Sequence, residues 1–337
     1  MKKNNTHKKR GTSFLKSFIP VRGDSLREWI RKLVFLAALI VFIGCAGYLI
    51  DDLLLQPYRT QKVTETAQKW YYTEQDQPSS VPEDTEDTTV YPEGIDPSFL
   101  SLYRRNHDIK AWLTFATTGN DLFNGAIDNP VVQTVDNDFY LDKNYLKQPE
   151  KAGTLYFDYR NDLSIGATNR NLIIYGHNLN SGLMFSRFNL LAKGKLEYAQ
   201  RLTTLTLNTW NGEVRTYKVF AVMIINADTR QEPMFNYLRT KFTDNSFLKF
   251  TEEIRRRSLF DFNDVDIQET DEIITLSTCS NKRETHLTDA RTVVVARRVR
   301  EGEEATVDTL KTTLNDDVLM PKMWYIATKN ELPEEYR

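Results

Sequence analysis

Between Leu33 and Ile50 the chain runs for eighteen residues without a charge or a strongly polar group. At about 1.5 Å of rise per residue such a run spans roughly 27 Å as a helix, close to the thickness of the hydrocarbon core of a bilayer. Trp29 and Tyr48 flank it where interfacial aromatic side chains belong. Residues 1–32 hold ten Lys or Arg against Asp24 and Glu28, and Asp51-Asp52 follow the run. The positive-inside rule then puts 1–32 in the cytoplasm as a basic segment, 33–50 across the membrane as an anchor, and everything later outside, a single-pass type II arrangement in the cell membrane. A cleaved signal peptide is the alternative, with Ala46-Gly47 as its small-residue site, but the apolar run continues through Leu49-Ile50 and resumes at Leu53-Leu54-Leu55. Cys45 lies in a Phe-Ile-Gly-Cys stretch that loosely resembles a lipoprotein box; the bland reading is a small apolar residue of the anchor.

The whole-chain balance of 44 basic and 46 acidic residues conceals this polarity. It also argues against a basic nucleic-acid binder. Residues 70–95 carry seven acids and no base, and the stretch 51–94 reads as an acidic extracellular linker. From about Gln61 it is too polar to bury a core and is expected to act as an extended tether. A short helix over 57–72, ending in Trp70-Tyr71-Tyr72, is the one element expected within it.

Past the linker the pattern changes. Asp96-Pro97 is a helix start, with an acid to cap it and Pro at the first position. Short apolar or alternating runs follow at Thr154–Phe157, Asn171–Tyr175, Thr203–Thr209, Val214–Ile225, Glu272–Thr278 and Thr292–Val299. Six such runs separated by loops predict a mainly antiparallel barrel or sandwich. Helices are predicted over Leu183–Leu191 and over Asn245–Leu259, the latter with Phe247, Phe250 and Ile254 on one face. This outer domain covers 95–300. The extension 301–337 contains an apolar patch, Leu319 to Ile326, expected to pack back on it.

The outer domain has one cysteine, Cys279, at the end of an apolar strand. His177 follows another such strand, in Tyr-Gly-His-Asn at 175–178, and Arg291 opens the strand after Cys279. If the two strands around the connection 280–290 form a hairpin, Cys279 and Arg291 sit side by side. Each residue alone has a duller reading, a buried small apolar thiol or a structural histidine. Together they are what acyl transfer through a thioester requires. A free thiol is only about 3% ionised at pH 7 and needs a cation beside it, an imidazole can protonate a leaving amine, and a guanidinium can hold an oxyanion. Arg283 and His286 lie in the same connection and are rivals, although His286 lacks the Gly-His-Asn setting. The four histidines and two cysteines show no metal-ligand spacing, and no cofactor is expected.

Thr-Leu-Ser-Thr-Cys at 275–279, Tyr-Gly-His-Asn at 175–178 and Ala-Arg-Thr-Val-Val-Val at 290–295 resemble the cysteine, histidine and arginine segments of sortases, the cell-wall transpeptidases of Gram-positive bacteria. Asn106 to Trp112, Asn129 to Gln133, Tyr140-Leu141 and Gly153 to Asp158 are similar in order and spacing to the class B branch, as is a helix inserted before the cysteine strand. The resemblance implies an eight-stranded sortase-type β-barrel with added helices behind a single transmembrane helix. It implies Cys279 as nucleophile, His177 as general acid/base and Arg291 as the substrate-aligning or oxyanion-holding group, with Ser277, Thr278 and Asn178 as substrate contacts. The implied substrate is a secreted protein bearing a Leu-Pro-x-Thr-Gly or Asn-Pro-x-Thr-Asn type signal, and the acceptor an amine of a peptidoglycan precursor. A pilin lysine as acceptor and, from another class, a catalytically idle adhesion or scaffold barrel are the alternatives. Residues 116–126 read as an inserted loop near the groove.

Overall fold

The computed structural model describes residues 18–76, 89–115, 127–179, 182–243, 245–280 and 282–337, and divides the chain into two units at Arg59/Thr60. The inserted loop 116–126 and the acid-rich part of the linker, 77–88, lie outside the described residues.

In the first unit, helix α1 spans Leu26–Ile50 and begins at a capping box in which Ser25 and Glu28 satisfy each other's backbone N–H groups. Leu33, Val34, Ile40, Val41 and Phe42 are exposed along it, and Cys45 lies on the same open surface. A helix that is apolar on every side and unburied by protein is one a bilayer would solvate, and this one is long and apolar enough to cross a membrane. A π-helical turn, Asp51–Leu55, follows.

The second unit starts within helix α2 (Gln56–Asp76). This helix contains the one expected over 57–72 and runs on to Asp76, and it corrects the extended tether expected from Gln61: Val63, Ala67, Trp70 and Tyr71 recur at helical spacing and supply an apolar stripe that the polar composition hides. Tyr71 stacks on Trp112 with centroids 4.3 Å apart and planes 5° from parallel, and its hydroxyl accepts from Asn208 Nδ2 at 2.6 Å. Tyr72 donates to Asp128 Oδ1 at 2.8 Å and Thr60 to Glu150 Oε1 at 2.9 Å.

The strands are β1 (Ile109–Phe115), β2 (Asp128–Val132), β3 (Leu155–Phe157), β4 (Asn171–Tyr175), β5 (Thr204–Thr209), β6 (Val214–Asn226), β7 (Phe260–Phe262), β8 (Ile273–Ser280), β9 (Ala290–Arg298) and β10 (Thr312–Leu314). Eight close a barrel in the order β1-β2-β3-β4-β8-β9-β6-β5, so the barrel has no open edge. The β2–β3 and β4–β8 pairs are parallel and the other six antiparallel. Leu113, Leu155, Ile174, Leu207, Val222 and Leu276 fill the interior.

All six predicted runs are barrel strands, but β1 and β2 were not legible as such. Pro130 in β2 is a residue that normally argues against a strand, and β1 is interrupted by Lys110. Asp96 caps the 3-10 turn Pro97–Phe99 through Ser98 N, and Leu100–Arg105 continues it as a helix. The helix predicted over Leu183–Leu191 is shorter and shifted, running only over Phe188–Ala192. Helix α3 (Ser246–Arg256) lays Phe247, Phe250 and Ile254 against Phe220, Met223 and Val293 on the outside of β6 and β9. The C-terminal extension adds β10, paired with β7, and helix α4 (Lys322–Thr328); Leu319 and Met320 are buried.

Candidate active site

Alternation along β8 sends Leu276 into the barrel and leaves Thr275, Ser277 and Cys279 on its outer side. Cys279 is the residue at which that side reaches solvent. Its partner across the β8–β9 ladder is Arg291, and the next partner across β9–β6 is Ile225. Directly opposed residues of an antiparallel pair share a face with Cβ atoms about 5 Å apart. Thiol and guanidinium are therefore neighbours by register.

The Arg291 side chain is 28% exposed. Burial pulls its guanidinium toward neutrality, but the negative charge available at Cys279, the hydrogen-bonded Asp289 carboxylate and Tyr237 outweigh this and strengthen its hold on the proton. Nη1 donates to Asp289 Oδ1 and to Ala290 O.

His177 arrives from the other side of β8. Tyr175 is the parallel-register partner of Ser277, Gly176 N donates to Ser277 O at 3.2 Å, and Thr278 Oγ1 donates back to Gly176 O at 2.7 Å. His177 thus leaves β4 two residues past the partner of Ser277, as Cys279 lies two past Ser277. A Cβ on Gly176 would meet Leu155 Cδ2 at 2.5 Å and Phe185 Cδ2 at 2.8 Å. The glycine before the histidine is required by packing, not by a left-handed turn. The ring lies with Nε2 2.6 Å from Leu141 O; a carbonyl only accepts, so Nε2 carries a proton and Nδ1 is the nitrogen left for proton exchange.

Asn178 donates from Nδ2 to Cys279 O and to Asn189 Oδ1, both at 2.7 Å, and accepts from Asn189 Nδ2 at 2.6 Å. Its amide ties the histidine segment to the backbone of Cys279. Ser277 and Thr278 are 2% and 3% exposed, with Ser277 Oγ 3.0 Å from Tyr237 OH and the Thr278 hydroxyl on Gly176 O. Arg283 and His286 are exposed on the connection, Arg283 on the short helix Lys282–Thr285 and His286 in a left-handed conformation just after it. Register puts Arg291, not Arg283, opposite Cys279.

Several contributors were not assigned a site role from the sequence. Leu141 acts through its backbone carbonyl, and Asp289 is an ordinary loop acid until the fold aims it at Arg291. Tyr156 and Tyr175, centroids 5.2 Å apart, and Tyr237 line the row below the thiol. Burial raises all three phenols well above their ordinary value, so they are neutral donors or acceptors. Tyr175 donates to Asp158 Oδ2 at 2.8 Å; its position two residues before His177 was the one available clue.

The family model for the sortase domain matches residues 124–299. Sortase B of Listeria monocytogenes is 30% identical over 267 residues, covering 77% of this chain and 93% of that protein. Sortase B of Staphylococcus aureus is 27% identical over 209 residues, covering 62% and 77%. Among solved structures, sortase B from Bacillus anthracis in complex with AAEK1 aligns with a TM-score of 0.55 at 28% identity, covering 73% of this chain and 99% of that one.

Proposed function

Because this chain belongs to the sortase family of cysteine transpeptidases and is most similar to its class B branch, we propose that it cleaves a sorting signal of the Leu-Pro-x-Thr-Gly or Asn-Pro-x-Thr-Asn kind on secreted proteins and joins the acyl part to an amine of a peptidoglycan precursor. The observation that carries this reading is the register pairing of Cys279 with Arg291, beside a strand end that delivers His177.

In the proposed reaction the sulfur of Cys279 adds to the carbonyl carbon of the signal's threonine. Arg291 and backbone N–H groups hold the oxygen as it gains charge, and Nδ1 of His177 gives a proton to the departing amine as the C–N bond breaks. The resulting thioester is attacked by the second amine, which yields its proton to His177, and the thiolate leaves. Ser277, buried on the thiol's face of β8, sits one row before Cys279, while Thr278 and Asn178 act by fixing the strand ends that carry His177 and Cys279. The basic residues before α1 support a cytoplasmic N-terminus with the barrel outside the membrane.

An idle scaffold barrel would leave its thiol inert and buried, whereas Cys279 is exposed. The test is to incubate the full chain in detergent with a panel of sorting peptides and follow its intact mass. A thioacyl adduct that hydroxylamine releases, and that Cys279→Ala does not form, supports the proposal. Sequencing the branched product after adding candidate amines identifies the acceptor, and a pilin lysine in that product would replace the cell-wall acceptor. Absence of any adduct across the panel rejects the reading.

A further inference from the structure

The sortase-domain match ends at residue 299, yet the chain continues for a further 38 residues that come back to the barrel end bearing Arg291. Two independent attachments bring them there. The first is apolar: Met320 is 4% exposed and belongs to a buried cluster with Ala192, Ile224, Leu287 and Ala290, against which Val318, Met323, Trp324 and Tyr325 pack. Leu287 lies in the β8–β9 connection, and Ala290 is the residue immediately before Arg291.

The second is polar. Glu232, 9% exposed, accepts from the backbone N–H of Lys322 at 2.7 Å and of Met323 at 3.2 Å, and from Asn226 Nδ2 at 2.8 Å. Asn226 is the register partner of Ala290. The next residue, Ala227, donates from its backbone N–H to Asp289 O at 2.8 Å, and the Asp289 carboxylate takes a hydrogen bond from the Arg291 guanidinium. Held this way are the residue that precedes Arg291 and the residue that pairs with its charge.

We infer that the segment Val318–Tyr325 is a positioning element for Arg291, fixing Ala290 and Asp289 and through them the placement of the guanidinium beside Cys279. This rests on the reading of Cys279 and Arg291 as the reacting pair. The segment acts from outside the barrel that carries the chemistry and touches no reacting atom.

The test reads charge at the sulfur without requiring turnover. In a Cys45→Ser background of the full chain, the rates at which an anionic and a cationic methanethiosulfonate modify Cys279 are compared. At the roughly 5 Å spacing of opposed residues, one cation seen largely through water speeds the anionic reagent about fourfold and slows the cationic one about as much, a preference on the order of fifteenfold at low salt. Arg291→Ala is expected to remove that preference. Met320→Ala and Glu232→Ala are expected to remove most of it, and to lower kcat for sorting-peptide cleavage about tenfold with KM within about twofold. Trp324→Ala, at a half-buried position, serves if either variant does not fold. A preference unchanged in every tail variant overturns the inference, as does an equal rate loss from Met320→Ala with and without Arg291. A parent chain that forms no thioacyl adduct while its charge preference still follows the tail would reject the proposed function and leave the positioning role standing.

Discussion

Cys279 and Arg291 are opposite one another in the β8–β9 ladder, so their proximity is enforced by the barrel's own hydrogen bonds and not by a flexible loop. With Arg291 as the proposed oxyanion donor, Arg291→Ala is expected to lower kcat/KM about 10²–10³-fold. Arg291→Lys keeps the charge but loses the planar fork and should recover only part of that loss. Steady-state rates with a cleavable peptide check both, and full activity of the alanine variant would exclude a role in the chemistry.

Loss of activity on removing the proposed nucleophile should be close to total. Cys279→Ala is expected to lose at least about 10⁴-fold in kcat, and His177→Ala about 10²–10⁴-fold. Single-turnover acylation followed by mass separates the two, since the histidine variant still forms adduct slowly.

Gly176→Ala puts a methyl group where Leu155 and Phe185 already stand, each under 3 Å from its position. Overpacking of this sort costs about 1–3 kcal/mol, and relief requires the turn into His177 to shift. A lowered melting temperature together with a fall in kcat is expected; unchanged activity would show that His177 tolerates the displacement.

The docked helix α2 gives a purely structural expectation. Tyr71 is 1% exposed between Phe99 and Trp112, and Tyr71→Ala should cost about 3–5 kcal/mol of barrel stability. Denaturant unfolding measures this. A loss under about 1 kcal/mol would mean that the helix contributes little to the barrel.

Glu303 binds the fully buried Arg297 through both carboxylate oxygens at 2.6 Å and takes a third bond from Lys218 at 2.7 Å. Arg297 in the first place, with Lys218 and the Arg300 N–H, holds the Glu303 carboxyl far below its ordinary range against an opposing effect of burial. A depressed folded value means stability present above the ordinary carboxylate range and lost as pH falls below it. Glu303→Gln should cost about 3 kcal/mol at neutral pH, where it leaves the buried Arg297 with only the more distant Asp266 carboxylate, 3.9 Å away, to balance its charge. The difference from the parent should shrink steadily on acidification below the usual glutamate range, and a pH-independent difference would exclude this origin.

Much of the site could be read from the chain because it depends on period-2 alternation. Once β8 and β9 are recognised as neighbours, Cys279 and Arg291 fall opposite each other. The parts that stayed hidden depend on contacts between distant residues or on backbone atoms. The Tyr71–Trp112 stack joins residues far apart in a chain whose local composition reads as a linker. Leu141 serves through a carbonyl that every residue has. The space that forbids a side chain at Gly176 is defined by Leu155 and Phe185, neither of which marks itself in sequence. Likewise Pro130 concealed β2, because the penalty for proline in a strand depends on pairing that local sequence does not disclose.

The parallel joining of β4 to β8 has a consequence for how the protein matures. Thr278 and Gly176, whose hydrogen bond links the two strands, are separated by 102 positions, so the loop that brings histidine and cysteine together closes at a high entropic cost. Until that closure the polypeptide carries a thiol without its imidazole neighbour. Synthesis from the N-terminus supplies the histidine strand well before the cysteine strand, so the two residues cannot come together until nearly the entire barrel sequence is available to fold.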